Sequence, residues 1–219
     1  MKNYELLLFD LDGTLTDPGI GITNSVMHAL NQFGIQVAHR SELYKFIGPP
    51  LSYSFAEYYG MDSKQTNQAI DFFHEYFTAG GMFENEVYPG INELLTQLRK
   101  DGYKLAIASS KPEIFVKKIL LHFQLDNYFD FIGGAELEGE GSRFKKQDVI
   151  AYTLHNFPSV SKEQILMIGD REHDIIGAKM NGIDSVGVLY GYGSREEFER
   201  EKANFIVNSV SELRELLSK

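Results

Sequence analysis

One short segment governs the interpretation of this chain: Leu6-Leu7-Leu8-Phe9-Asp10-Leu11-Asp12-Gly13-Thr14-Leu15-Thr16. Its apolar run is too short for an ordinary helix and is followed by Asp and Gly, which predicts a strand buried on both faces. In an open parallel sheet, ligands bind just outside the carboxyl ends of the strands, so Asp10 and Asp12 leave the strand where chemistry is usually done. Two carboxylates this close repel each other, and a divalent cation would offset that cost. The alternative is an ordinary turn with solvated acids.

The bulk composition predicts a soluble globular protein. A length of 219 residues fits one large domain, or a domain carrying a smaller one. A hydrophobic content of 43% and a charged content of 24% are ordinary for this class. The net charge of −10 disfavours nucleic acid or an anionic membrane as the main partner.

Compartment and cofactor class follow from what the sequence lacks. There is no Cys, which excludes disulfides, thiolate metal sites and a Cys nucleophile. No run approaches the roughly 18 apolar residues of a membrane span, and the chain leads directly into a core strand rather than a cleavable signal. We therefore expect a cytoplasmic protein. The six His residues are scattered, so a His-bound zinc or iron site is not expected.

Residues 17–85 read as several helices in succession without a convincing strand. Apolar residues recur at helical intervals, and the segments end at glycines, as expected of helix C-termini. Ser41 and Ser63 are the expected caps of two of these helices. The segment is rich in Phe and Tyr, and in an acidic protein we interpret this aromatic stripe as packing rather than base stacking. The pattern predicts a small all-helical domain at 17–85.

The rest of the chain alternates short apolar strands with helices. The predicted strands are Lys104–Ala108, Phe129–Ile132, Ile165–Ile168, Ser185–Leu189 and Phe205–Val207. Two predicted capping boxes, Ser194 with Glu197 and Ser209 with Glu212, place the last helices. Such alternation favours an α/β fold with a parallel sheet in three layers, formed by residues 1–16 and 86–219.

Other predicted strand ends present groups that complement Asp10. Ser109 and Ser110 follow the strand at Leu105, offering a hydroxyl and backbone N–H groups near a helix start, which suits an anion. An ordinary N-cap is the competing interpretation. Asp170 follows the strand that ends at Ile168, and Asp174 begins the next helix. If these strands are neighbours, Asp170 and Asp174 approach Asp10.

These three acids would form an oxygen-rich site suited to Mg²⁺, a hard cation that accepts substrate phosphate oxygens. The alternative is a helix cap at Asp174 and solvated acids elsewhere. A phosphoryl site also needs a fixed cation. Lys145 and Lys146, just before the helical pattern of Val149 and Ile150, are the candidates.

These strand-end groups resemble, in content and order, the motifs of the haloacid dehalogenase-like hydrolase superfamily. The string Phe-Asp-Leu-Asp-Gly-Thr-Leu-Thr, residues 9–16, resembles the family's nucleophile motif. The resemblance implies a Rossmann-like core carrying a helical cap inserted after the first motif. It implies that Asp10 is the nucleophile and Asp12 the general acid/base, and that Ser109 and Lys146 bind phosphate. It also implies a Mg²⁺ site formed by Asp10, Asp12, Asp170 and Asp174, and a substrate site that includes Gly13, Thr14, Gly48 and Ser110.

Phosphoglycolate phosphatases and their relatives have this layout, and Gly48-Pro49-Pro50-Leu51 resembles a cap loop of that group. One departure is that many relatives have Pro after the motif lysine, whereas Lys146 is followed by Gln147-Asp148. Some nucleotidase-like relatives show this kind of sequence. The choice between Lys145 and Lys146 stays open, with Lys146 favoured by its spacing to Val149.

The expected function is Mg²⁺-dependent hydrolysis of a small-molecule phosphate monoester through an aspartyl phosphate, as in phosphoglycolate phosphatases. A 5'-nucleotidase, a pyrophosphatase or a phosphosugar mutase of the same superfamily are alternatives. A dehalogenase is disfavoured because Asp12 and the metal acids would lack a role. A receiver-like phospho-binding module is the alternative from another class, and the large helical insert argues against it. The expected assembly is a monomer or homodimer.

Overall fold

The chain divides into two compact units. The structure is a computed structural model, and it describes residues 3–137 and 143–218. The first unit, called the core unit, comprises Met1–Thr16 and Val87–Lys219. The second, called the helical unit, comprises Asp17–Glu86.

Strands and helices are numbered along the chain. The strands are β1 Leu6–Phe9, β2 Thr16–Asp17, β3 Glu86–Val87, β4 Lys104–Pro112, β5 Phe131–Ala135, β6 Ile165–Gly169, β7 Asp184–Val188 and β8 Phe205–Val207. The helices are α1 Gly19–Gln32, α2 Leu51–Tyr59, α3 Ser63–Ala79, α4 Ile91–Lys100, α5 Glu113–His122, α6 Lys146–Leu154, α7 Glu172–Asn181, α8 Arg195–Glu201 and α9 Val210–Leu217. Short 3₁₀ turns cover Arg40–Phe46, Gly81–Phe83, Asp126–Tyr128 and Lys162–Gln164. Within residues 3–137 and 143–218, no helix has both the length and the apolar character needed to cross a membrane.

Six strands of the core unit form a parallel sheet in the order β5-β4-β1-β6-β7-β8. β1 lies at the centre, where Leu7 pairs with Leu105 of β4 on one side and with Leu166 of β6 on the other. All four residues of β1 are buried, as a strand covered on both faces requires. The central position of β1 brings its carboxyl end between the ends of β4 and β6.

Helices cover both faces of this sheet. Successive residues of a strand point to opposite faces. A Cβ added at Gly133 of β5 would meet Thr153 of α6, whereas one added at Gly134 would meet Glu113 of α5. α5 and α6 therefore lie on opposite faces, and the predicted three-layer α/β core with a parallel sheet is confirmed. The core on the α6 face includes Leu6, Leu8, Ala106, Met167, Val149, Ile150 and Ala178.

Four predicted strands differ from the observed ones at one or both ends. β6 extends one residue further, to Gly169, and β7 covers Asp184–Val188 rather than Ser185–Leu189, while β4 and β5 differ more. β4 continues to Pro112, because Pro112 pairs with Ala135 after a register shift that follows Ser109. The apolar run ends at Ala108, so hydrophobicity could not predict this extension. β5 begins at Phe131 rather than Phe129, because a 3₁₀ turn at Asp126–Tyr128 delays the strand.

The helical unit contains α1, α2 and α3, as its helical periodicity predicts. Two caps differ from the sequence prediction: Asp62 rather than Ser63 is the N-cap of α3, and the segment expected to start at Ser41 is a 3₁₀ turn. Asp62 accepts the backbone N–H groups of Lys64 and Gln65, forming a capping box. The packing interpretation of the aromatic stripe is confirmed at four buried rings: Phe46, Phe55, Phe73 and Phe77.

The last two helices begin at the predicted serines. Ser194 accepts the N–H of Glu197 at 3.2 Å, and Ser209 accepts the N–H of Glu212 at 3.1 Å. The glutamates do not complete the expected boxes. The Glu212 carboxylate accepts the backbone N–H of Asn208, and Glu197 lies against Arg171.

Candidate active site

Three acids converge at the carboxyl edge of the sheet. Asp10 follows β1, Asp170 follows the neighbouring strand β6, and Asp174 lies in the first turn of α7. They are 9%, 1% and 0% exposed, and a carboxylate oxygen of each lies within 4.8 Å of the others. The sequence prediction that these three acids approach one another agrees with this geometry.

The start of α7 orients the Asp174 side chain toward Asp10 and Asp170. Asp174 Oδ2 accepts the backbone N–H of Arg171 at 3.0 Å, which ties the side chain back to the beginning of its own helix. A Cβ added at Gly169 would lie 2.1 Å from Asp174 Cγ, so only glycine fits between strand and carboxylate there. The turn from β6 into α7 therefore requires Gly169.

Lys146 joins the acids as a buried cation. Its Nζ lies 2.9 Å from Asp10 Oδ2, 2.8 Å from Asp174 Oδ1 and 3.0 Å from the carbonyl oxygen of Ala108. Burial alone would lower the pKa of this ammonium, but the charges of Asp10 and Asp174 raise it above its ordinary value. Lys146 is the first residue of α6, whereas Lys145 occupies the N-cap position and its side chain is exposed.

Asp12 has a different partner from the three clustered acids. Its Oδ2 forms a short ion pair with Nζ of Lys111, and its buried Oδ1 has no hydrogen-bond partner among the described residues. Burial raises the pKa of the Asp12 carboxyl, and the charge of Lys111 opposes that rise. The resemblance implies that the Asp12 carboxylate binds the metal together with Asp10, Asp170 and Asp174. In the structure, this carboxylate pairs with Lys111. Lys111 stands two residues after Ser109, and no sequence motif assigns it a role.

Ser109 lies in β4 beside β1 and is 2% exposed. Its Oγ accepts the backbone N–H of Lys111 at 3.3 Å, while Pro112 is the N-cap of α5. The N-cap interpretation of Ser109 is therefore wrong. The neighbouring Ser110 is half-buried in the same strand.

The remaining predicted substrate residues fall in both units. Gly13 has φ +77°, and a Cβ there would lie 2.0 Å from Asp170 Oδ2. The close approach of the segment after β1 to Asp170 thus needs glycine. Thr14 is fully buried, and within residues 3–137 and 143–218 its Oγ1 has no hydrogen-bond partner. Gly48 belongs to the helical unit, where it has φ +107° just before α2.

The charges at this edge fit a divalent cation. In the described part of the chain, four carboxylates lie at this edge, those of Asp10, Asp12, Asp170 and Asp174, and two ammonium groups, those of Lys111 and Lys146, form ion pairs with three of them, so negative charge is in excess. Burial, together with the charges of Asp174 and Asp10, raises the pKa of Asp170 well above its ordinary value. Clustered carboxylate oxygens are the donors that hard divalent cations prefer. Asp10, Asp170 and Asp174 are therefore the residues that could hold such an ion.

This electrostatic arrangement predicts a pH effect on the metal-free protein. Burial raises the pKa of Asp174 to about 6, against about 3.9 for Asp in an unfolded chain. Between these values the folded state holds a proton that the unfolded state has lost, so the free energy of unfolding decreases as pH rises from about 4 to about 6. We expect Asp174→Asn, which cannot ionise, to show a flatter dependence. Urea unfolding in EDTA measures the difference, and parallel curves for both proteins would contradict it.

Comparison with known proteins points to one family. A family model described as haloacid dehalogenase-like hydrolase matches residues 7–188. The chain is 42% identical to a 5'-nucleotidase of Pseudomonas aeruginosa, over 98% of this chain and 96% of that protein. A crystal structure of a predicted phosphatase from Clostridium acetobutylicum superposes with a TM-score of 0.92 at 51% identity, covering 98% of both chains.

Two further relatives bear other names. The chain is 37% identical to the tyrosine-protein kinase PtkA of Mycobacterium tuberculosis, over 99% of this chain and 73% of that protein. It is 28% identical to a phosphoglycolate phosphatase of Colwellia psychrerythraea, over 97% of this chain and 96% of that protein. These relatives thus match nearly the whole of this chain, while their names denote different activities.

Proposed function

Because this chain belongs to the haloacid dehalogenase-like hydrolase family and is a phosphatase of that family, we propose that it hydrolyses small phosphate monoesters through a phosphoaspartate at Asp10. One observation carries the proposal: the buried contact of Asp10 with Lys146, beside Asp170 and Asp174. In this proposal, residues 1–16 and 86–219 are the catalytic core, residues 17–85 are the cap domain, and Mg²⁺ is the cofactor.

Asp10 and Asp12 divide the chemistry. A carboxylate oxygen of Asp10 forms a bond to phosphorus while the bond from phosphorus to the ester oxygen breaks. Asp12 gives its proton to the departing alkoxide, then takes one from the water that attacks the phosphoaspartate and frees Asp10. The raised pKa of Asp12 supports this role, because the carboxyl can then carry a proton nearer neutral pH.

Lys146 and Ser109 hold the phosphoryl group. The Lys146 ammonium lies 2.9 Å from Asp10, close enough to neutralise phosphoryl oxygens during transfer. The Ser109 hydroxyl, at the adjacent strand, offers a hydrogen bond to the same group. When bound at Asp10, Asp170 and Asp174, Mg²⁺ would neutralise charge between the carboxylate and the phosphate.

The size of the barrier requires these groups to act together. Accelerations of phosphate-monoester hydrolysis reach about 10²¹-fold, which corresponds to more than about 20 kcal/mol. Positioning alone contributes roughly 7 to 11 kcal/mol. The charge-stabilising groups and the acid/base are therefore needed in addition to positioning.

Nucleoside 5'-monophosphates are the substrate class that we favour. Identity is 42% to the 5'-nucleotidase and 28% to the phosphoglycolate phosphatase. The Gln147-Asp148 pair after Lys146, where many relatives have Pro, supports the same choice. With Mg²⁺, we expect kcat/KM for nucleoside 5'-monophosphates to exceed that for phosphoglycolate by about 10-fold or more, a difference of about 1.4 kcal/mol in transition-state binding.

A substrate panel with released phosphate as the readout tests this order. It includes nucleoside 5'-monophosphates, phosphoglycolate, pyrophosphate and sugar phosphates. A higher kcat/KM for phosphoglycolate or pyrophosphate would overturn the substrate class while leaving the phosphatase chemistry intact. A further arm with ATP, read by phosphotyrosine formation, tests the activity named for the Mycobacterium tuberculosis relative. Phosphate release without phosphotyrosine is the result that we expect.

A further inference from the structure

A tight loop in the core unit, Tyr190-Gly191-Tyr192-Gly193, contacts both halves of the candidate site. It lies between β7 and α8 and is called the 190–193 loop. None of its residues received a role from the sequence motifs. It approaches Asp170 with its backbone and the segment after Asp10 with a side chain.

The backbone of the 190–193 loop encloses Asp170. The N–H of Tyr192 donates to Asp170 Oδ2 at 2.8 Å. A Cβ added at Gly191 would lie 2.6 Å from that same oxygen, and one added at Gly193 would lie 2.0 Å from the Asp170 carbonyl oxygen. A Cβ added at Gly13 would come closer still to Oδ2, at 2.0 Å. Asp170 thus lies against two glycine-containing segments. A larger residue at Gly13, Gly191 or Gly193 would have to displace neighbouring atoms.

Tyr190 connects the loop to the segment that carries Asp10 and Asp12. Its hydroxyl donates to the Thr14 carbonyl oxygen at 3.0 Å. Its ring packs edge-on against Tyr88, with centroids 5.1 Å apart, and the Tyr88 N–H donates to the Leu15 carbonyl at 3.1 Å. Tyr190 is therefore braced by Tyr88 while it holds the backbone two residues after Asp12.

We propose that the 190–193 loop positions the catalytic segment and the metal ligand relative to each other, with Tyr190 as its positioning residue. The loop bonds to Thr14 on one side and to Asp170 on the other, so it sets the spacing between the nucleophile segment and the acid after β6. With Oδ2 bonded to Tyr192, the orientation of the Asp170 carboxylate is determined by the loop. A displacement of about 1 Å in such a site costs about 10²-fold in rate.

The inference rests on the proposed metal-dependent phosphatase activity. Tyr190→Phe removes only the hydroxyl and keeps the ring against Tyr88. We expect kcat to fall about 10-fold with KM nearly unchanged, because the lost bond affects alignment rather than substrate contacts. We also expect the Mg²⁺ dissociation constant, measured by calorimetry without substrate, to rise several-fold.

Tyr4→Phe is the matched control. Tyr4 is a buried tyrosine of the same unit, and its hydroxyl donates to Asp184 at 2.7 Å, a residue outside the candidate site. Both variants lose one hydrogen bond, so similar decreases in Tm are expected. Only Tyr190→Phe should alter kcat and Mg²⁺ binding. Equal kcat and Mg²⁺ binding in the two variants would overturn the inference.

Gly191→Ala tests the backbone half of the loop. The added methyl must displace Asp170 or Gly13, so we expect Mg²⁺ binding to weaken about 10-fold or more. Gly102→Ala is the control for a loss of stability alone. Gly102 has φ +82°, and a Cβ added there would lie in open space. Normal Mg²⁺ binding in a folded Gly191→Ala protein would overturn the inference. Wild-type protein without Mg²⁺-dependent turnover would instead overturn the proposed function.

Discussion

Replacing Asp10 with Asn is expected to lower phosphatase turnover by about 10⁴-fold or more, while the protein still folds. The amide oxygen of Asn is not an effective nucleophile, so the phosphoaspartate cannot form. In this variant the buried Lys146 ammonium still has Asp174 as an ion-pair partner at 2.8 Å, so its charge remains compensated. Steady-state phosphate release with Mg²⁺ measures the loss, and circular dichroism confirms folding.

Asp148→Asn is the control for the same chemical change. Asp148 lies in the first turn of α6 with an exposed side chain, so its substitution should leave turnover within about twofold of wild type. Near-normal turnover in Asp10→Asn would refute the nucleophile assignment. Labelled phosphate bound to the wild-type protein after rapid quenching, and missing from Asp10→Asn, would support it directly.

Lys146→Met is expected to affect stability and turnover together. Removing one partner of a buried ion pair costs about 3–5 kcal/mol, because the remaining charges are left without compensation. Here Asp10 and Asp174 would both lose their contacts with the Nζ atom. In EDTA near neutral pH, urea unfolding should show this decrease. Added Mg²⁺ should recover part of it, since a divalent cation restores positive charge among the carboxylates.

The adjacent lysine provides the control for that substitution. Lys145 is exposed, so Lys145→Met should change the free energy of unfolding by no more than about 0.5 kcal/mol and leave turnover near normal. We expect turnover of Lys146→Met to fall about 100-fold or more, measured with saturating Mg²⁺. Equal effects of the two substitutions would contradict the assignment of Lys146.

Local chemistry explains why much of this fold could be predicted. A run of four apolar residues followed by Asp and Gly predicts a strand covered on both faces, and β1 is that strand. Helical periodicity likewise predicted α1 and α3 from residues a few positions apart. The bounds that failed, at Ser63 and at the end of β4, depend on hydrogen bonds and strand pairing that apolar spacing does not encode.

Sequence patterns predict the parallel α/β architecture, the helical insert after β1 and the order of the polar strand ends, because these depend on periodicity and on the placement of acids after apolar runs. Which side chains come into contact depends on the tertiary structure. Lys111 pairs with Asp12 across 99 residues, and Tyr190 bonds to Thr14 across 176. It also buried Lys146 while leaving Lys145 exposed. Strand order and helix orientation set such contacts, because they bring together residues that have no fixed spacing along the chain.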